Sequence, residues 1–365
     1  MKKIFLFGYY GFQNTGDDAI LEAIIQQIKT VVPDASLTVL SYNVKDTLAK
    51  YDVSAVSRNN FTQVIKAIKT SDLVISGGGS ILQDVTSSRS LLYYSAIIFL
   101  AKKMGKKLMF YGNGFGPINR YINRKIVKAI VNRVDVITVR DYESKEYMQS
   151  LGIKKEISIT ADIAFGLKKA QAEEIEKIMQ KEEMDNIDRW VGISVRPWGK
   201  GITHKEIIAK TADYLLDRNY GVVFLPMQYP NDVTISREIK ALMKGTPKII
   251  ESQYRPSEIM GIIGKMDLLL GMRLHSLIFA TMVGVPMVGL EYDVKIKNFL
   301  KIVNQKNGGI IEKLDIIHLW ATIDGVLKQR DQHINMLEES KINLHKKMEM
   351  NMEIFNSFIE EGVEI

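Results

Sequence analysis

Two residues that could act together on an anion lie close together in GMRLHS, residues 271–276. Arg273 and His275 follow the apolar run LLL, at the predicted end of a buried strand. On an extended backbone they would point to the same side. A guanidinium stays charged at any working pH, and an imidazolium can donate a proton. The pair therefore predicts a proton donor beside a bound anion; the alternative is a hydrogen-bonded structural histidine.

Two more arginines close predicted strands. Arg140 ends VITVR and Arg196 ends VGISVR. Guanidinium groups bind carboxylate or phosphate through two parallel hydrogen bonds. Together with Arg273 they predict a small donor ligand with more than one acidic group. Arg140 has a structural alternative, which is pairing with Asp141 or Asp162.

Three glycine-rich stretches follow predicted strands: GYYGFQNTGDDAI (8–20), SGGGSILQD (76–84) and GNGFGP (112–117). Glycine lets backbone amides approach an anion or a sugar closely, although a tight strand-to-helix turn needs it too. Asp17 could cap a helix or deprotonate a sugar hydroxyl. The candidate residues for acceptor or anion binding are Gly11, Asn14, Gly16, Asp17, Gly77, Gly78, Gly79 and Asn113.

Composition narrows the class of protein and its location. The chain has no cysteine, and its five histidines show no metal-ligand spacing, so we expect no metal and no cofactor. Between Asp84 and Asp135 there are ten basic residues and no acidic one. Such a face attracts polyanions, but no nucleic-acid-binding motif accompanies it. We predict a cytoplasmic protein. Its segment 88–107 has two interpretations, an ordinary buried helix with a basic end and a helix that contacts the inner face of an anionic membrane.

The order of predicted elements indicates the fold class. Short apolar runs alternate with helical patterns, which is typical of parallel sheets with crossover helices. We predict an α/β protein with two Rossmann-like, doubly wound domains facing a cleft (GT-B-like), and C-terminal helices that cross back. The predicted parts are an acceptor-side domain over 1–167, a charged linker helix over 168–187, a donor-side domain over 188–325 and a helical tail over 326–365.

Several stretches, taken in order, resemble the polysaccharide pyruvyl transferases. They are GYYGFQNTGDDAIL, SGGGSILQDVTSSRSLLYY, YGNGFGPI, ITVRDYESKEYMQSLG, TADIAF, ISVRPW, GMRLHSLIFA and GLEYDVKIKNFL. The resemblance covers about residues 4 to 300. It is strongest to the CsaB type, which adds pyruvate ketals to the secondary cell-wall polymers, used in S-layer anchoring, of Gram-positive bacteria. One position, Gln13, departs from the small residue expected in the first loop.

This resemblance implies phosphoenolpyruvate as the donor substrate and a cell-wall glycan as the acceptor. The acceptor would be β-linked N-acetylmannosamine, modified at its 4- and 6-hydroxyls and carried on a lipid diphosphate. Arg196, Arg273 and His275 would bind the donor, and Arg140 and Asp17 would complete the site. Two alternatives stay open, a nucleotide-sugar glycosyltransferase and a non-catalytic module that binds glycans or anions. The sequence does not indicate the oligomeric state.

Overall fold

The computed structural model describes residues 1–85, 87–199 and 201–360, and within these ranges the chain forms two parallel β-sheets with helical connections. The chain divides into two compact units. The first unit comprises Met1–Gln13, Asp17–Leu167 and Leu344–Ile365, and the second comprises Asn14–Gly16 and Lys168–Asn343. Each unit contains one sheet, which confirms the prediction of two parallel-sheet α/β domains.

The sheet of the first unit has seven strands in the order β3-β2-β1-β4-β5-β6-β7. The direction of winding reverses between β1 and β4, and ligands of such sheets bind beyond the carboxyl ends of the strands at this point. The strands are β1 Lys3–Phe7, β2 Ser36–Ser41, β3 Ser54–Ser57, β4 Leu73–Gly77, β5 Lys107–Asn113, β6 Val136–Val139 and β7 Ser158–Ile159. The helices are α1 Thr15–Val31, α2 Val44–Lys50, α3 Phe61–Thr70, α4 Ser88–Lys103, α5 Tyr121–Val131 and α6 Tyr142–Ser150.

The sheet of the second unit has six strands in the order β10-β9-β8-β11-β12-β13, with the reversal between β8 and β11. Its strands are β8 Trp190–Ser194, β9 Gly221–Phe224, β10 Lys248–Ile249, β11 Leu268–Gly271, β12 Met287–Glu291 and β13 Lys306–Ile310. Its helices are α7 Ala172–Lys181, α8 Thr203–Leu216, α9 Asn231–Lys240, α10 Pro256–Ile263, α11 Leu274–Val283, α12 Val294–Ile302, α13 Ile316–Lys328 and α14 Arg330–Glu360, the last of which ends in the first unit.

The central strands are apolar because they are buried on both faces. All five residues of β4 and all four residues of β11 are buried. Two strands, β3 and β13, were not predicted from the sequence. Both lie at a sheet edge, where burial is incomplete, so neither carries a continuous apolar run.

The predicted linker helix over 168–187 is shorter than expected and is part of the second unit. It is α7, which spans only Ala172–Lys181. Ile175 and Met179 lie one helical turn apart and are buried, and a Cβ built on Gly261 of α10 would lie 2.3 Å from Ile175 Cδ1. The helix therefore packs on α10 of the second unit. It ends where Glu183 adopts φ = 54°.

The predicted helical tail over 326–365 corresponds to the end of α13 and to α14, and its last five residues lie outside the described residues. The part of α14 that belongs to the first unit packs on that unit's sheet. Thr138 donates a 2.6 Å hydrogen bond to Asn351, and Tyr111 contacts the ring of Phe355 edge-on. Among the described helices, none is both long enough and apolar enough to cross a bilayer.

Candidate active site

Arg196 and Arg273 leave adjacent strands of the second sheet at the same level. Gly271 of β11 pairs with Ser194 of β8, and the next amide, that of Met272, donates to the Ser194 carbonyl at 2.7 Å. Arg196 lies two residues after Ser194, and Arg273 lies two residues after Gly271. The carboxyl ends of β8 and β11, at the reversal of winding, therefore carry both arginines.

Arg273 is fixed by a buried carboxylate. Its Nε and Nη2 donate to the two oxygens of Asp232, at 2.9 and 2.5 Å, and Nη2 also donates to Gln228 Oε1 at 3.1 Å. The Asp232 side chain is fully buried and also accepts the amides of Met227 and Gln228. This carboxylate sits in the first turn of α9, where free amides favour a negative charge. Asp232 and Gln228 thus fix Nε and Nη2 of Arg273. Within the described part of the chain, these hydrogen bonds do not use Nη1.

Arg196 is held in a different way, by aromatic rings. Its guanidinium carbon lies 4.4 Å from the ring centre of Tyr292 and 5.8 Å from that of Trp198. Trp198 is fixed in turn, because its indole N–H donates to Glu312 at 2.7 Å. Within the described ranges, Arg196 Nε is buried and has no hydrogen-bond partner, and the same is true of Ser194 Oγ. These two groups can donate hydrogen bonds to an incoming anion.

His275 lies in the first turn of α11, two residues after Arg273. The loop residues Asn14–Gly16, which group with the second unit, lie beside it. Thr15 donates to the Met227 carbonyl at 2.8 Å, and Asn14 forms a β-bridge with Gln228. A Cβ built on Gly16 would lie only 2.0 Å from His275 Nδ1. Gly16 is therefore required for the backbone to pass against the imidazole.

In the first unit, the predicted loops meet at the ends of β1, β4, β5 and β6. Asn113 Nδ2 donates to the Gly78 carbonyl at 2.8 Å, and Gly114 donates to the Gly79 carbonyl at 3.0 Å. Gly79 adopts φ = +64°, and a Cβ there would lie 3.3 Å from Asp17 Oδ1. The Oδ1 atom of Asn113 is buried and, among the described residues, has no partner. These contacting loops thus contain both the carboxylate of Asp17 and an unsatisfied hydrogen-bond acceptor, Asn113 Oδ1.

The remaining predicted glycines of this edge serve packing. Gly11 lies against the turn after β2, where an added Cβ would be 2.3 Å from Ser41 Oγ. Gly77 leaves room for Tyr10, whose hydroxyl donates to the Gly77 carbonyl at 2.5 Å. A Cβ on Gly78 would meet Ile20 of α1 at 2.4 Å. These three positions allow α1 and its loop to approach the strand ends closely.

Arg140 forms the ion pairs that were its structural alternative. Its guanidinium donates to Asp162 at 3.0 Å, to Asp141 at 3.2 Å and to Ser80 at 3.4 Å. Burial alone would lower the pKa of Arg140, but Asp162 and Asp141 outweigh burial and raise it. All three guanidinium nitrogens have partners. The arginine therefore ties the ends of β4, β6 and β7 together.

Sequence reasoning missed several residues of these edges. Asp232 and Tyr292 hold the two donor-side arginines, and Asp18, next to Asp17, is a buried carboxylate whose pKa is raised to about 7 by burial. Lys50, at 3.8 Å, only partly opposes this shift. The only available signals were position after a strand for Tyr292 and position at a helix start for both aspartates. Neither signal identifies a partner that lies far away in the chain.

Known proteins are similar to this chain in sequence and in fold. The chain is 23% identical to the amylovoran biosynthesis protein AmsJ of Erwinia amylovora, over 90% of this chain and 93% of that protein. Its fold is similar to that of Anabaena HepE in complex with UDP-glucose (TM-score 0.65, 13% identity, 100% and 99% of the chains covered). A UDP-GlcNAc 2-epimerase from Neisseria meningitidis bound to UDP-GlcNAc is also similar (TM-score 0.65, 12% identity, 97% and 99% covered).

The two structural similarities establish the fold alone, a GT-B-like pair of parallel-sheet domains. The sequence model of one protein family, polysaccharide pyruvyl transferase, matches residues 14–294. This match spans the glycine-rich loop at Gly16, the strand-end arginines and His275. The chain belongs to the polysaccharide pyruvyl transferase family, and it is an enzyme that transfers a pyruvyl group to a polysaccharide.

Proposed function

We propose that phosphoenolpyruvate is the pyruvyl donor and that it binds at the strand ends of the second unit. One observation supports this most strongly: Arg196 is a charged side chain with a buried Nε that, in the described part of the chain, has no hydrogen-bond partner. Buried polar groups are normally satisfied, so such a group indicates a ligand. Phosphoenolpyruvate carries a carboxylate and a phosphate, which suit the fork of Arg196 and the remaining nitrogen of Arg273.

His275 is the proposed proton donor. Protonation of C3 of phosphoenolpyruvate makes C2 electrophilic, and the oxygen of a first sugar hydroxyl then forms a bond to C2. The bond between C2 and the bridging oxygen breaks, and phosphate leaves with the electron pair while Arg273 stabilises its charge. A second hydroxyl adds to C2 and loses its proton, which closes a six-membered ketal. The net products are the ketal and inorganic phosphate, with no metal or cofactor.

The acceptor groups of the proposal are in the first unit. Asp17 would take the proton of an attacking hydroxyl, and the unsatisfied Oδ1 of Asn113 would accept a hydrogen bond from a sugar hydroxyl. Arg140 is assigned a positioning role, because two carboxylates and a serine already occupy it. Gly77, Gly78 and Gly79 would let a sugar approach this strand end closely, although the Gly78 amide already donates to the Tyr111 carbonyl at 3.0 Å.

The acceptor we propose is a β-linked N-acetylmannosamine of a cell-wall polymer, carried on a lipid diphosphate and modified at its 4- and 6-hydroxyls. This choice is supported by the resemblance of the loops to the CsaB type. The reaction itself requires only two hydroxyls that can close a six-membered ring.

Incubation with phosphoenolpyruvate and a synthetic N-acetylmannosamine-containing acceptor tests this function. We expect release of phosphate and a pyruvate ketal visible by mass spectrometry. Arg273→Ala should lower kcat/KM at least about tenfold, from loss of roughly 1.5–3 kcal/mol of charged hydrogen bonding. His275→Ala should lower kcat. Wild-type rates in both variants would remove these residues from the mechanism.

A thermal-shift comparison separates the donor from that of a nucleotide-sugar glycosyltransferase. A true donor stabilises the native state in proportion to the logarithm of its concentration. We expect phosphoenolpyruvate to raise Tm and UDP or UDP-sugars to leave it unchanged. The opposite result would favour the glycosyltransferase, and no response to either, without phosphate release, would favour a binding module.

For membrane contact, the described residues favour a different segment from the predicted 88–107. Half of the ten apolar residues of α4 are buried and three more are partly buried, which fits the alternative of an ordinary buried helix, and only Leu92 and Phe99 are exposed. Val85, in the loop before α4, is 61% exposed, and Tyr121 and Ile122, at the start of α5, are 69% and 70% exposed. Asp84 joins the loop of Val85 to the segment before α5 by accepting the amides of Asn119 and Arg120.

We propose that this tip, Val85 with Tyr121 and Ile122, rests on an anionic bilayer, because basic residues including Arg89, Arg120, Arg124 and Lys125 lie near it in the chain. Ile122→Ser should reduce co-sedimentation with vesicles that contain phosphatidylglycerol. Ile317→Ser, at an exposed position of the second unit, is the matched control. Binding that is independent of Ile122, anionic lipid and salt would overturn this contact.

A further inference from the structure

The first unit contains an open pocket of about 500 Å³ that the proposed function has not used. It lies between the loop after β1, the residue that follows β3, and the beginning of α4. We call it the aromatic pocket and define it by Tyr9, Phe12, Arg58, Arg89 and Tyr93; two serine side chains complete its lining. Of the described residues that line it, none is acidic.

One wall of the aromatic pocket is a stack of rings. Phe12 lies between Tyr9 and Tyr42, with ring centres 3.9 and 4.6 Å apart and planes within 8° and 16° of parallel. Tyr9 and Phe12 are partly exposed, and Tyr42 is 56% exposed. Both faces of Phe12 are covered in this stack, so the platform that the pocket offers to a sugar ring is the exposed part of Tyr9 at the end of the stack.

The pocket also carries two positive charges. Arg58 lies over the rings of Tyr93 and Phe12, at 4.8 and 5.2 Å, and the Tyr93 hydroxyl donates to the Arg58 carbonyl at 2.8 Å. Rings thus orient Arg58 without neutralising it. In residues 1–85, 87–199 and 201–360, neither Arg58 nor Arg89 forms an ion pair with a carboxylate. The two guanidinium groups are available to a phosphoryl group.

The aromatic pocket adjoins the proposed acceptor base. Burial raises the pKa of Tyr9, and the negative charge of Asp17 raises it further, while Arg58 opposes the rise. Asp17 and Arg58 therefore both act on the Tyr9 hydroxyl. Tyr9 follows β1, and Asp17 lies beside Gly79, which follows the adjacent strand β4, so the pocket and the proposed acceptor base are at the same end of the sheet.

We infer that the aromatic pocket binds the phosphorylated end of the acceptor, with a phosphoryl group on Arg58 and Arg89 and the attached sugar ring against the Tyr9–Phe12 stack. The inference rests on the proposed function in one respect, which is that Asp17 acts on the acceptor. The phosphoryl group can belong to a soluble sugar phosphate or to a lipid diphosphate. Recognition would be the same, and the test distinguishes the two sources.

The kinetic test compares two acceptors that differ only at the reducing end, a 1-phosphate and a methyl glycoside of one oligosaccharide. In the wild type we expect KM for the phosphate to be about tenfold lower, as for a charged hydrogen-bonded contact. Arg89→Gln and Arg58→Met should remove this advantage and leave KM for the methyl glycoside within about twofold. Arg133→Gln, an exposed charge change elsewhere in the first unit, should remove nothing.

Equal KM values for the two acceptors in the wild type would overturn the inference, as would equal losses for both acceptors in Arg89→Gln. Arg89 is exposed, so its variant tests the pocket without the folding cost that Arg58→Met could carry. A lipid diphosphate acceptor forms the third arm. In Arg89→Gln, the 1-phosphate should lose its lower KM relative to the methyl glycoside. If the lipid diphosphate still has a lower KM than the 1-phosphate in this variant, the pocket recognises phosphate and the lipid is bound elsewhere.

A binding measurement separates failure of this inference from failure of the proposed function. Calorimetry with N-acetylglucosamine 1-phosphate should show binding in the wild type and in Arg196→Met, and loss in Arg58→Met and Arg89→Gln. This result would hold even if the chain transferred no pyruvate from phosphoenolpyruvate. Binding that is unchanged in both pocket variants, or binding of UMP but not of the sugar phosphate, would exclude the proposed ligand class.

Discussion

Arg140 and Arg196 both follow the carboxyl end of a parallel strand, β6 in the first unit and β8 in the second, but their surroundings differ. Arg140 donates through all its nitrogens to Asp141, Asp162 and Ser80. Arg196 lies against Tyr292 and, over the described ranges, its buried Nε has no partner. A guanidinium between two carboxylates holds the fold, whereas one held by ring faces keeps its charge for a ligand.

The same contrast extends to the unsatisfied atoms of each edge. In the first unit the unsatisfied atom is an acceptor, Asn113 Oδ1; in the second unit the unsatisfied atoms are donors, Arg196 Nε and Ser194 Oγ, all judged within the described chain. An acceptor suits a sugar hydroxyl, and donors suit an anion. These two sets of atoms are of the kinds that the proposed acceptor and the proposed donor would need.

The largest expected change in stability concerns Asp232, the single carboxylate that pairs with Arg273. Asp232→Asn should destabilise the second unit by about 3–5 kcal/mol, because it leaves a mostly buried guanidinium without its counter-charge. Asp162→Asn should cost the first unit only about 1–2 kcal/mol, since Arg140 keeps Asp141.

Urea unfolding followed by tryptophan fluorescence measures the first of these changes, because all three tryptophans, Trp190, Trp198 and Trp320, are in the second unit. Scanning calorimetry measures both variants. The contrast between singly and doubly paired arginines would be wrong if Asp162→Asn cost as much as Asp232→Asn.

A second prediction concerns Asp18, a buried carboxyl in the first unit. Its pKa is raised from 3.8 to about 7, so between these values the folded state holds a proton that the unfolded state has lost. Its contribution to stability therefore decreases as pH rises through this window and is constant above it. Asp18→Asn should be more stable than the wild type at pH 8, and the difference should shrink by about 2 kcal/mol by pH 5.5.

Calorimetric unfolding of both proteins at the two pH values checks this difference. Asp52→Asn is the control: Lys29 lowers the pKa of this fully exposed carboxyl from 3.8, so it is ionised in the folded and unfolded states at both pH values, and its difference from the wild type should not change between pH 5.5 and 8. A wild type that is more stable than Asp18→Asn at pH 8 would show that Lys50 stabilises the ionised carboxyl more than burial disfavours it.

A third prediction applies the comparison of the two arginines to ligand binding. Arg196→Met should raise the Kd for phosphoenolpyruvate by roughly thirtyfold, equivalent to about 2 kcal/mol. Arg140→Met should lower the stability of the first unit and leave this Kd within about twofold. Titration calorimetry on the folded variants measures both constants. If Arg140→Met weakened the donor as much as Arg196→Met, Arg140 would belong to the donor site as the sequence predicts.

The sequence predicted the parts of the fold that burial determines. Apolar runs such as LVIS of β4 and LLL of β11 identify central strands, because both faces are covered. The edge strands β3 and β13 were missed, since SAVS and KNGGI are partly exposed and carry no such run. The charged stretch of α7 was interpreted as a linker although Ile175 and Met179 form a buried apolar face.

The site was predictable only in part. Position after a buried strand indicated Arg140, Arg196, Arg273 and His275, but not which of them is paired. Asp232 lies 41 residues before Arg273, and their contact follows from the order β9-β8-β11, which no local pattern encodes. The role of Gly16 was equally hidden, because the sequence suggested anion binding and the structure shows close packing against an imidazole.

That packing gives the last prediction, which concerns the position of His275. Gly16→Ala would place a Cβ 2.0 Å from Nδ1, so the imidazole must move by more than 1 Å to reach van der Waals distance. Because misplacement of a catalytic group by about 1 Å lowers rates by tenfold or more, kcat for ketal formation should decrease about tenfold. Gly325→Ala in α13, where a Cβ meets nothing within 4 Å, should leave kcat unchanged and stabilise the second unit by up to about 1 kcal/mol. An unchanged kcat in Gly16→Ala, with the tryptophan-detected unfolding midpoint also unchanged, would mean that the imidazole position is not needed for proton donation.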